Sequence, residues 1–545
     1  MNMSLSNPAP RLLMLAAATL MAGALTGCEM GNGDSNTLDP LENASVRAFK
    51  NDYIVRSNSD LGKLSAYTHL EGDLVIEPWE ELIEVDLPKL IEIKGSLRIK
   101  EVHGKDVFRV HAKQLIKIGL NVQVVSASTE VSVELPKVDF IGGHIDLSFA
   151  LVSVSAPRLT TINGDIRARD ITFKGEGLAL GGLEHVNGSI RLVRYSADYE
   201  DVSDFATDLR FPDLVEISGG FEARDGSITT IDMPNLVVIG ADIEVTNIQL
   251  NMEMPKLHTV LGHLRMRDAA LTHFNLTSLQ YVQGMFEMVG CQMHATSSID
   301  LPALKGLSNT AGINISGIGN LQAITFGEEF EGEAISKITI AGNANLGSVN
   351  LGGMTNIHSD LVVSGNGPVE VHATQLVSVG SIYLDGNAQI KAYFTSLDQV
   401  YGSISVKDTQ VHGFVMNNVE TIGGDLKVAG MSVVTEDPML TGLRYVNGSV
   451  YFGYNSGIPT IVFGALEQIG AFWQGQSVGD LQIEGNPHST NLALPALASV
   501  ARHMTIKFNK KLEPHTINLA TQAVQVGGNT TICENGEFSE PPCPQ

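Results

Sequence analysis

A ten-residue phrase recurs along most of this 545-residue chain, and it reads Leu-x-x-Ile-x-Gly-x-apolar-x-apolar. One copy runs from Leu90 to Ile99 and another from Leu159 to Ala168. A fixed repeat of this kind is typical of solenoids, in which each coil buries its apolar face against its neighbours. The early glycines of the phrase follow one another at intervals of 21 to 24 residues, at Gly72, Gly95, Gly119, Gly143, Gly164 and Gly188.

The stretch from 221 to 245 shows what one repeat contains. Three short segments, Phe221–Ala223, Ile228–Met233 and Leu236–Ile239, are separated by turn residues that include Gly226 and Pro234. Alternation of apolar and polar residues over three to five positions predicts strands with one buried face. Beyond the N-terminal leader, no stretch keeps an amphipathic helical period for three turns. The sequence therefore predicts an all-β fold of parallel strands stacked in register, over residues 51–526.

The corner that follows the main strand of each coil has its own chemistry. In the N-terminal half a basic residue and an aspartate often stand there, as in Arg169-Asp170 and Arg224-Asp225. In the C-terminal half an asparagine takes this place, and because its side chain satisfies backbone groups, stacked copies predict a hydrogen-bonded ladder. The predicted members are Asn343, Asn366, Asn387, Asn455, Asn486 and Asn529.

The first residues form a targeting segment. Leu12–Ala24 is apolar or small throughout but too short to span a bilayer, and Leu25-Thr26-Gly27-Cys28 resembles the lipobox of bacterial lipoproteins. The resemblance implies a signal peptide over 1–27, acylation of Cys28 and a lipidated flexible tether over 28–50. Glu29 favours the outer membrane over inner-membrane retention, on its periplasmic or its surface-exposed face. An ordinary secretory signal with an accidental cysteine is the alternative.

The other cysteines fit an exported chain. Cys533 and Cys543 lie close together after the repeats end, and we expect them to form a disulfide within a C-terminal cap over 527–545. Cys291 follows a strand alone and reads as a small core residue.

The repeat as a whole resembles the receptor L-domain, the leucine-rich-repeat-like β-helix of growth-factor receptor ectodomains and fungal cell-wall proteins. The resemblance covers about residues 51–530 and implies a right-handed coil of 20 to 24 residues. It implies ligand binding through variable surface positions, so no binding or catalytic residue transfers to this chain. Two coils depart from the pattern, with Ala241 and Arg502 in place of the glycine, and the chain looks like one long run where receptor L-domains are short units capped by disulfides.

Charge and motifs narrow the functional classes. A net charge of −25 argues against nucleic acid, which is bound mainly through Lys and Arg. No phosphate-binding glycine loop or His-Glu-x-x-His motif is present, so we predict no cofactor and no metal site. The segment 475–479 matches Gly-x-Ser-x-Gly, but a strand-like segment follows the serine where a nucleophile elbow requires a helix.

Two sets of residues are candidates for ligand binding. The first is the outward position of the main strand in six successive coils, here named the charged strip: Arg167, Arg191, Glu222, Glu244, Arg265 and Glu287. These residues form either a salt-bridge ladder or a polar track for a saccharide or protein. The second set lies where the repeat loosens, near 193–211 and 464–480, and comprises Tyr195, Tyr199, Phe472 and Trp473. The repeat also loosens near 429–442 and near 305–336, and the latter is a candidate seam between two solenoid halves.

These observations favour a non-catalytic cell-surface lipoprotein that acts as a binding, adhesion or envelope scaffold for protein or polysaccharide, held to the membrane by its lipid. One alternative is a β-helix enzyme that acts on acidic polysaccharides; such enzymes group carboxylates with Ca²⁺ and a basic side chain, and Asp146 and Asp165 with Arg167 are the candidates. A third possibility is a purely architectural envelope spacer with no ligand.

Overall fold

The computed structural model describes residues 46–79, 82–102, 106–126, 129–194, 207–226, 228–294, 297–308, 310–330, 335–432, 440–473, 476–536 and 543. The chain divides into two compact units, Met1–Val46 and Arg47–Gln545. The signal peptide, the lipidation site Cys28 and the tether as far as residue 45 lie outside the described residues.

The second unit is a β-solenoid of about 19 turns, as the repeat predicts. Successive coils contribute strands to one continuous parallel sheet, which we call the main sheet, and these strands have three or four residues except for two longer ones, Asn356–Ser364 and Ser378–Tyr383. Its strands are Tyr53–Val55, Leu74–Ile76, Leu97–Lys100, Val122–Val125, Ile145–Ser148, Ile166–Arg169, Ile190–Val193, Phe221–Arg224, Ile243–Thr246, Leu264–Arg267, Phe286–Val289, Ile313–Ser316, Ile338–Ala341, Asn356–Ser364, Ser378–Tyr383, Ile404–Lys407, Leu426–Ala429, Val450–Gly453, Leu481–Glu484, Met504–Lys507 and Thr530–Cys533.

In most coils a two-residue strand precedes the main strand, and we call these strands the short-strand sheet; they form a 12-stranded parallel ladder as far as Gly306–Leu307 and a second parallel series from Gln399–Val400 onward. Its strands are Ala48–Phe49, His69–Leu70, Glu92–Ile93, Lys117–Ile118, Phe140–Ile141, Thr161–Ile162, His185–Val186, Glu216–Ile217, Val238–Ile239, Thr259–Val260, Tyr281–Val282, Gly306–Leu307, Gln399–Val400, Thr421–Ile422, Tyr445–Val446, Gln468–Ile469, Ser499–Val500 and Gln525–Val526. In two coils the short strand and the main strand are continuous and form a single strand, Asn356–Ser364 in one and Ser378–Tyr383 in the other.

The third face consists of four separate parallel sheets. The first contains Glu84–Asp86, Val107–His111, Glu130–Glu134, Leu151–Ser155 and Thr172–Ala179, and the second contains Thr207–Arg210, Ile228–Asp232, Gln249–Glu253, Ala270–Asn275 and Gln292–Met293. The third contains Ser297–Leu301, Leu321–Phe326, Ser348–Asn350, Pro368–His372, Gln389–Tyr393 and Val411–Val415. The fourth contains Thr460–Val462 and Asn491–Ala493. The main sheet crosses the candidate seam near 305–336 without a break, since Phe286, Ile313 and Ile338 are register neighbours.

Strand alternation fills the interior of the solenoid. In the strand Ile243–Thr246, Ile243 and Val245 are fully buried, whereas Glu244 and Thr246 face outward and are half-buried. The same pattern in each coil forms one continuous apolar cluster that extends from Tyr53 to Ile517. Burial of this kind contributes about 25 cal/mol for each Å² of apolar surface removed from water.

Two short helices, which the repeat pattern does not predict, replace the third-face strand in the end coils. The helix Asn58–Leu64 follows the first main strand and begins with a capping box formed by Ser57 and Asp60. The helix Pro514–Thr521 buries Ile517 and packs against Asn491–Ala493, the last strand of the third face. Capping of terminal repeats is expected of a solenoid. Among the described residues, no helix is both long and apolar enough to cross a bilayer.

The predicted asparagine ladder exists, and it lies inside one corner. The backbone N–H and Nδ2 of Asn343 both donate to Oδ1 of Asn366, at 3.0 and 3.1 Å, and Asn366 donates likewise to Asn387. A second run joins Asn455, Asn486, Asn509 and Asn535. The prediction of Asn529 was wrong, because this residue is exposed and directly precedes a main strand.

A second ladder, which the sequence reasoning missed, runs along the residues immediately before the main strands. We call it the pre-strand ladder. In each step the side chain of one coil accepts the backbone N–H of the equivalent residue in the next coil, as from Asn121 to His144 to Asp165 to Ser189. The equivalent bonds recur at the other end, from Ser403 to Asp425 to Ser449 to Asp480. The repeating glycine makes room for this side chain, since a Cβ at Gly188 would overlap Oδ1 of Asp165.

Candidate binding surface

The charged strip lies on the outer face of the main sheet, and its residues are register neighbours as predicted. Arg167 pairs with Arg191, Arg191 with Glu222, and Glu222 with Glu244. The series continues through Arg265 to Glu287. In such a parallel stack adjacent strands lie about 4.8 Å apart, so the strip is a nearly continuous band of charge.

Most members of the strip bind partners outside it. Arg167 donates to Asp165, Arg265 contacts Asp242 at 3.8 Å, and Glu287 accepts from Arg267 at 2.8 Å. Asp165 and Asp242 stand immediately before main strands, and Arg267 ends the main strand adjacent to that of Glu287.

Arg224 joins two members of the strip. Its guanidinium lies 3.0 Å from a carboxylate oxygen of Glu222 and 3.5 Å from one of Glu244. Without it, these two adjacent carboxylates would repel each other. Because exposed ion pairs contribute only about 0 to 1 kcal/mol each, the two contacts of Arg224 add little to the stability of the fold. Their main effect is to relieve the repulsion between Glu222 and Glu244.

Arg191 is the exception. Its side chain is exposed and has no ion-pair or hydrogen-bond partner within the described ranges. Its register neighbours are Arg167, which carries the same charge, and Glu222, whose carboxylate is paired with Arg224. Within the described ranges, Arg191 is therefore the one strip member whose charge no ion pair neutralises.

Two members of the network have displaced pKa values. Burial acts to raise the pKa of Asp165, but the Ser189 N–H and the Arg167 guanidinium outweigh it, so the pKa lies below its ordinary value. Hydrogen bonding to Glu287 raises the pKa of Arg267 further. Both displacements favour the charged forms, as expected of structural ion pairs.

The residues of the enzymatic alternative do come together. Asp146 is the register neighbour of Arg167, and Asp165 is bonded to the same guanidinium. A carboxyl group whose pKa is lowered by a bound arginine is poorly suited to act as a general acid at neutral pH. Within the described ranges, no three His, Cys, Asp or Glu side chains are arranged to hold a metal ion.

The loop near 464–480 contains an antiparallel hairpin, Ala471–Trp473 with Gln476–Val478. Its backbone includes Phe472 and Trp473, whose side chains lie outside the described part of the structure. The strand Leu481–Glu484 follows the hairpin, so Ser477 does not stand before a helix. Tyr195 and Tyr199 also lie outside the described residues.

Sequence reasoning missed one further group of surface residues, at the corner that follows the main strand. Tyr454 and Phe508 stand there, 60% and 41% exposed, although most coils use Gly, Asp or Asn at this position. The signal that marks them is an aromatic residue at the first position after a main strand, where the neighbouring coils have Gly430 and Gly485.

The predicted disulfide is present, and Cys291 is a core residue as predicted. Cys533, at the end of the last main strand, forms a disulfide with Cys543. Cys291 is fully buried, and desolvation raises the pKa of its thiol.

No model of a known protein family matches the chain, and a search of curated proteins finds no match either.

Proposed function

We propose that this protein is a non-catalytic lipoprotein of the bacterial outer membrane whose β-solenoid acts as a binding scaffold for polysaccharide or protein. Support for the anchor comes from the lipobox that ends at Cys28. Support for binding comes from the main sheet, which presents a continuous outward face on a rigid body. Long regular surfaces of this kind are what repeat proteins use for binding.

One observation carries the proposal, namely the unpaired Arg191 beside Arg167. The other five members of the charged strip have partners that neutralise them, so the fold accounts for their charges. Arg191 has none among the described residues, and its exposed guanidinium beside the half-buried Arg167 is free to bind an anion. The ligand of this end of the strip therefore carries carboxylate, sulfate or phosphate groups.

The binding test uses the purified lipoprotein in detergent on an array of acidic and neutral polysaccharides. We expect Arg191→Glu to weaken capture of acidic polysaccharides at least tenfold at low salt. Arg158→Glu is the matched control, since Arg158 is exposed at a turn away from the strip and the change in net charge is the same. Equal loss in both variants would mean that net charge, and not the strip, controls capture.

The same samples are incubated with each captured polysaccharide and examined for new reducing ends or unsaturated products. We expect chains of unchanged length. Depolymerisation that Arg167→Gln abolishes would replace the scaffold by the enzymatic function.

The anchor is tested separately by fractionating bacteria that express the full chain. We expect the wild type in the outer-membrane fraction and Cys28→Ser in the soluble fraction. A Cys28→Ser variant that stays with the membranes would exclude acylation of this residue as the anchor.

A further inference from the structure

The corner after the main strand requires a backbone conformation that most side chains avoid. In most coils the residue at this corner has positive φ and is Gly, Asp or Asn, which adopt this conformation at the least cost. Three coils instead carry an aromatic residue in this conformation: Phe149 at +51°, Tyr454 at +57° and Phe508 at +59°. A bulky residue held there costs of the order of 1 kcal/mol or more, and such residues concentrate at functional sites.

Core packing does not explain the two C-terminal rings. Tyr454 and Phe508 are both exposed, so they recover little of the free energy that a buried ring provides. The coil between them has Gly485 at the same corner, and the coil before Tyr454 has Gly430. Glycine is thus compatible with the fold at this position, and the presence of aromatic residues there requires an explanation other than folding.

The two rings lie at equivalent places, two coils apart. Gly453, Glu484 and Lys507 are successive register neighbours, so Tyr454, Gly485 and Phe508 occupy the same corner in three consecutive coils. Two coil steps place the backbones of the aromatic residues about 10 Å apart. The Tyr454 ring lies over Gly485, where a Cβ would come within 2.7 Å of ring atom Cδ1.

Polar groups in fixed positions accompany the rings. The Tyr451 hydroxyl donates to Glu484 at 2.9 Å, and Lys507 contacts the other oxygen of this carboxylate at 3.2 Å. The Lys507 ammonium also lies 5.3 Å from the centre of the Phe508 ring. These bonds hold donors and acceptors beside the rings.

We propose that Tyr454 and Phe508 form a stacking site for the sugar rings of a polysaccharide. The C–H face of a pyranose packs on an aromatic ring while its hydroxyl groups hydrogen-bond to polar side chains at the ring's edge. A linear glycan repeats both features at regular intervals, as this corner does. A protein partner, by contrast, is usually anchored by an aromatic residue in a fully desolvated pocket. This inference rests on the proposed scaffold function and gives it a ligand class and a second site.

The test uses Tyr454→Gly together with Phe508→Gly, because glycine is the residue that the neighbouring coils use at this corner and the fold tolerates it. Phe149→Gly is the matched control, since it removes an exposed ring from the same kind of corner in a distant coil. The probes are mannan, xylan, β-1,3-glucan, alginate, polygalacturonate and peptidoglycan sacculi. Affinity electrophoresis measures binding of the soluble polysaccharides, and co-sedimentation measures binding to the sacculi.

We expect the wild type and Phe149→Gly to bind at least one of these glycans alike, and the double variant to bind it at least tenfold more weakly with a melting temperature no lower than that of the wild type. Equal binding by the double variant would overturn the corner site but leave the scaffold function intact. If the wild type binds none of the glycans, the inference about the corner site is overturned. The scaffold function would still hold if the charged strip binds a protein ligand. Sensitivity to Arg191→Glu distinguishes that case.

Discussion

The backbone N–H of Ser189 donates to Oδ1 of Asp165, one coil earlier, at 2.7 Å. The other oxygen of this carboxylate accepts two hydrogen bonds from Arg167. One side chain thus joins the pre-strand ladder to the charged strip. Its negative charge strengthens both contacts, because hydrogen bonds to ionised groups are stronger than those between neutral groups.

Asp165 should make stability depend on pH in the acidic range. Its pKa in the folded protein lies below the unfolded value of about 3.9, so its contribution is present above that value and is lost as the pH falls through the folded pKa. We expect the urea midpoint of the wild type to exceed that of Asp165→Asn at neutral pH, and the gap to narrow between about pH 5 and about pH 3. Asp213→Asn, at an exposed turn, should show no such gap. A constant gap for Asp165→Asn would mean that the charge is not what matters.

Alanine substitution should lower the free energy of unfolding strongly at Asn366, within the asparagine ladder, and hardly at all at Asn529, outside it. Replacing Asn366 by alanine removes the oxygen to which the buried N–H and Nδ2 of Asn343 both donate. Each such group costs about 1–3 kcal/mol, so we expect a loss of about 2–5 kcal/mol in the free energy of unfolding. Asn529→Ala, outside the ladder and exposed, should change it by less than about 0.5 kcal/mol. Denaturant titration measures both, and similar values for the two would contradict the ladder's role.

Two glycine-to-alanine changes should have opposite signs. At Gly188 a methyl group would collide with Asp165 and with the backbone of Gly164, which costs about 1–3 kcal/mol. At Gly62, within the helix Asn58–Leu64, nothing lies near the added methyl, and alanine should stabilise the helix by about 1 kcal/mol. Thermal unfolding by circular dichroism measures both shifts. A stabilised Gly188→Ala would show that the glycine is not required by close approach.

Adjacent residues of one strand test which face is buried. Ile243 is fully buried, so Ile243→Asp places a carboxyl group in the apolar interior and should cost at least roughly 4 kcal/mol. Glu244, the next residue, faces outward, and Glu244→Gln should cost less than about 1 kcal/mol. Limited proteolysis and denaturant midpoints report both. An Ile243→Asp protein that unfolds like the wild type would contradict the assigned register.

Much of the fold was predictable because successive coils repeat both the apolar–polar alternation of the strands and the spacing that makes equivalent strands neighbours. The alternation in Phe221–Arg224 and Ile243–Thr246 identifies the buried positions directly, and register follows because the same positions recur at the coil spacing. The ladder residues Asn509 and Asn535 were missed, although each stands two residues after the end of a main strand, as the predicted member Asn455 does. Asn529 was included by mistake, since its preceding Gly528 is the glycine of the recurring phrase and not that of the corner.

The functional surface was harder to predict, because a charged residue on a strand has many neighbours within reach. The sequence placed Glu222 beside Glu244 but did not reveal that Arg224 bridges them. The pre-strand ladder had a visible signal, the run of Asp, Ser, Asn and His before successive strands. It could be interpreted only once the coils were stacked, since each bond joins residues 21 to 31 positions apart.

The two ladders point in opposite directions along the solenoid. In the pre-strand ladder each coil accepts a hydrogen bond from the coil after it, and in the asparagine ladder each coil donates one to the coil after it. Within an uninterrupted run of either ladder, excising or duplicating a whole coil therefore keeps donors matched to acceptors, while a partial coil breaks the series. Proteins descended from a common ancestor with this one should differ in length by entire coils, or by loops confined to corners, as with the hairpin at 471–478.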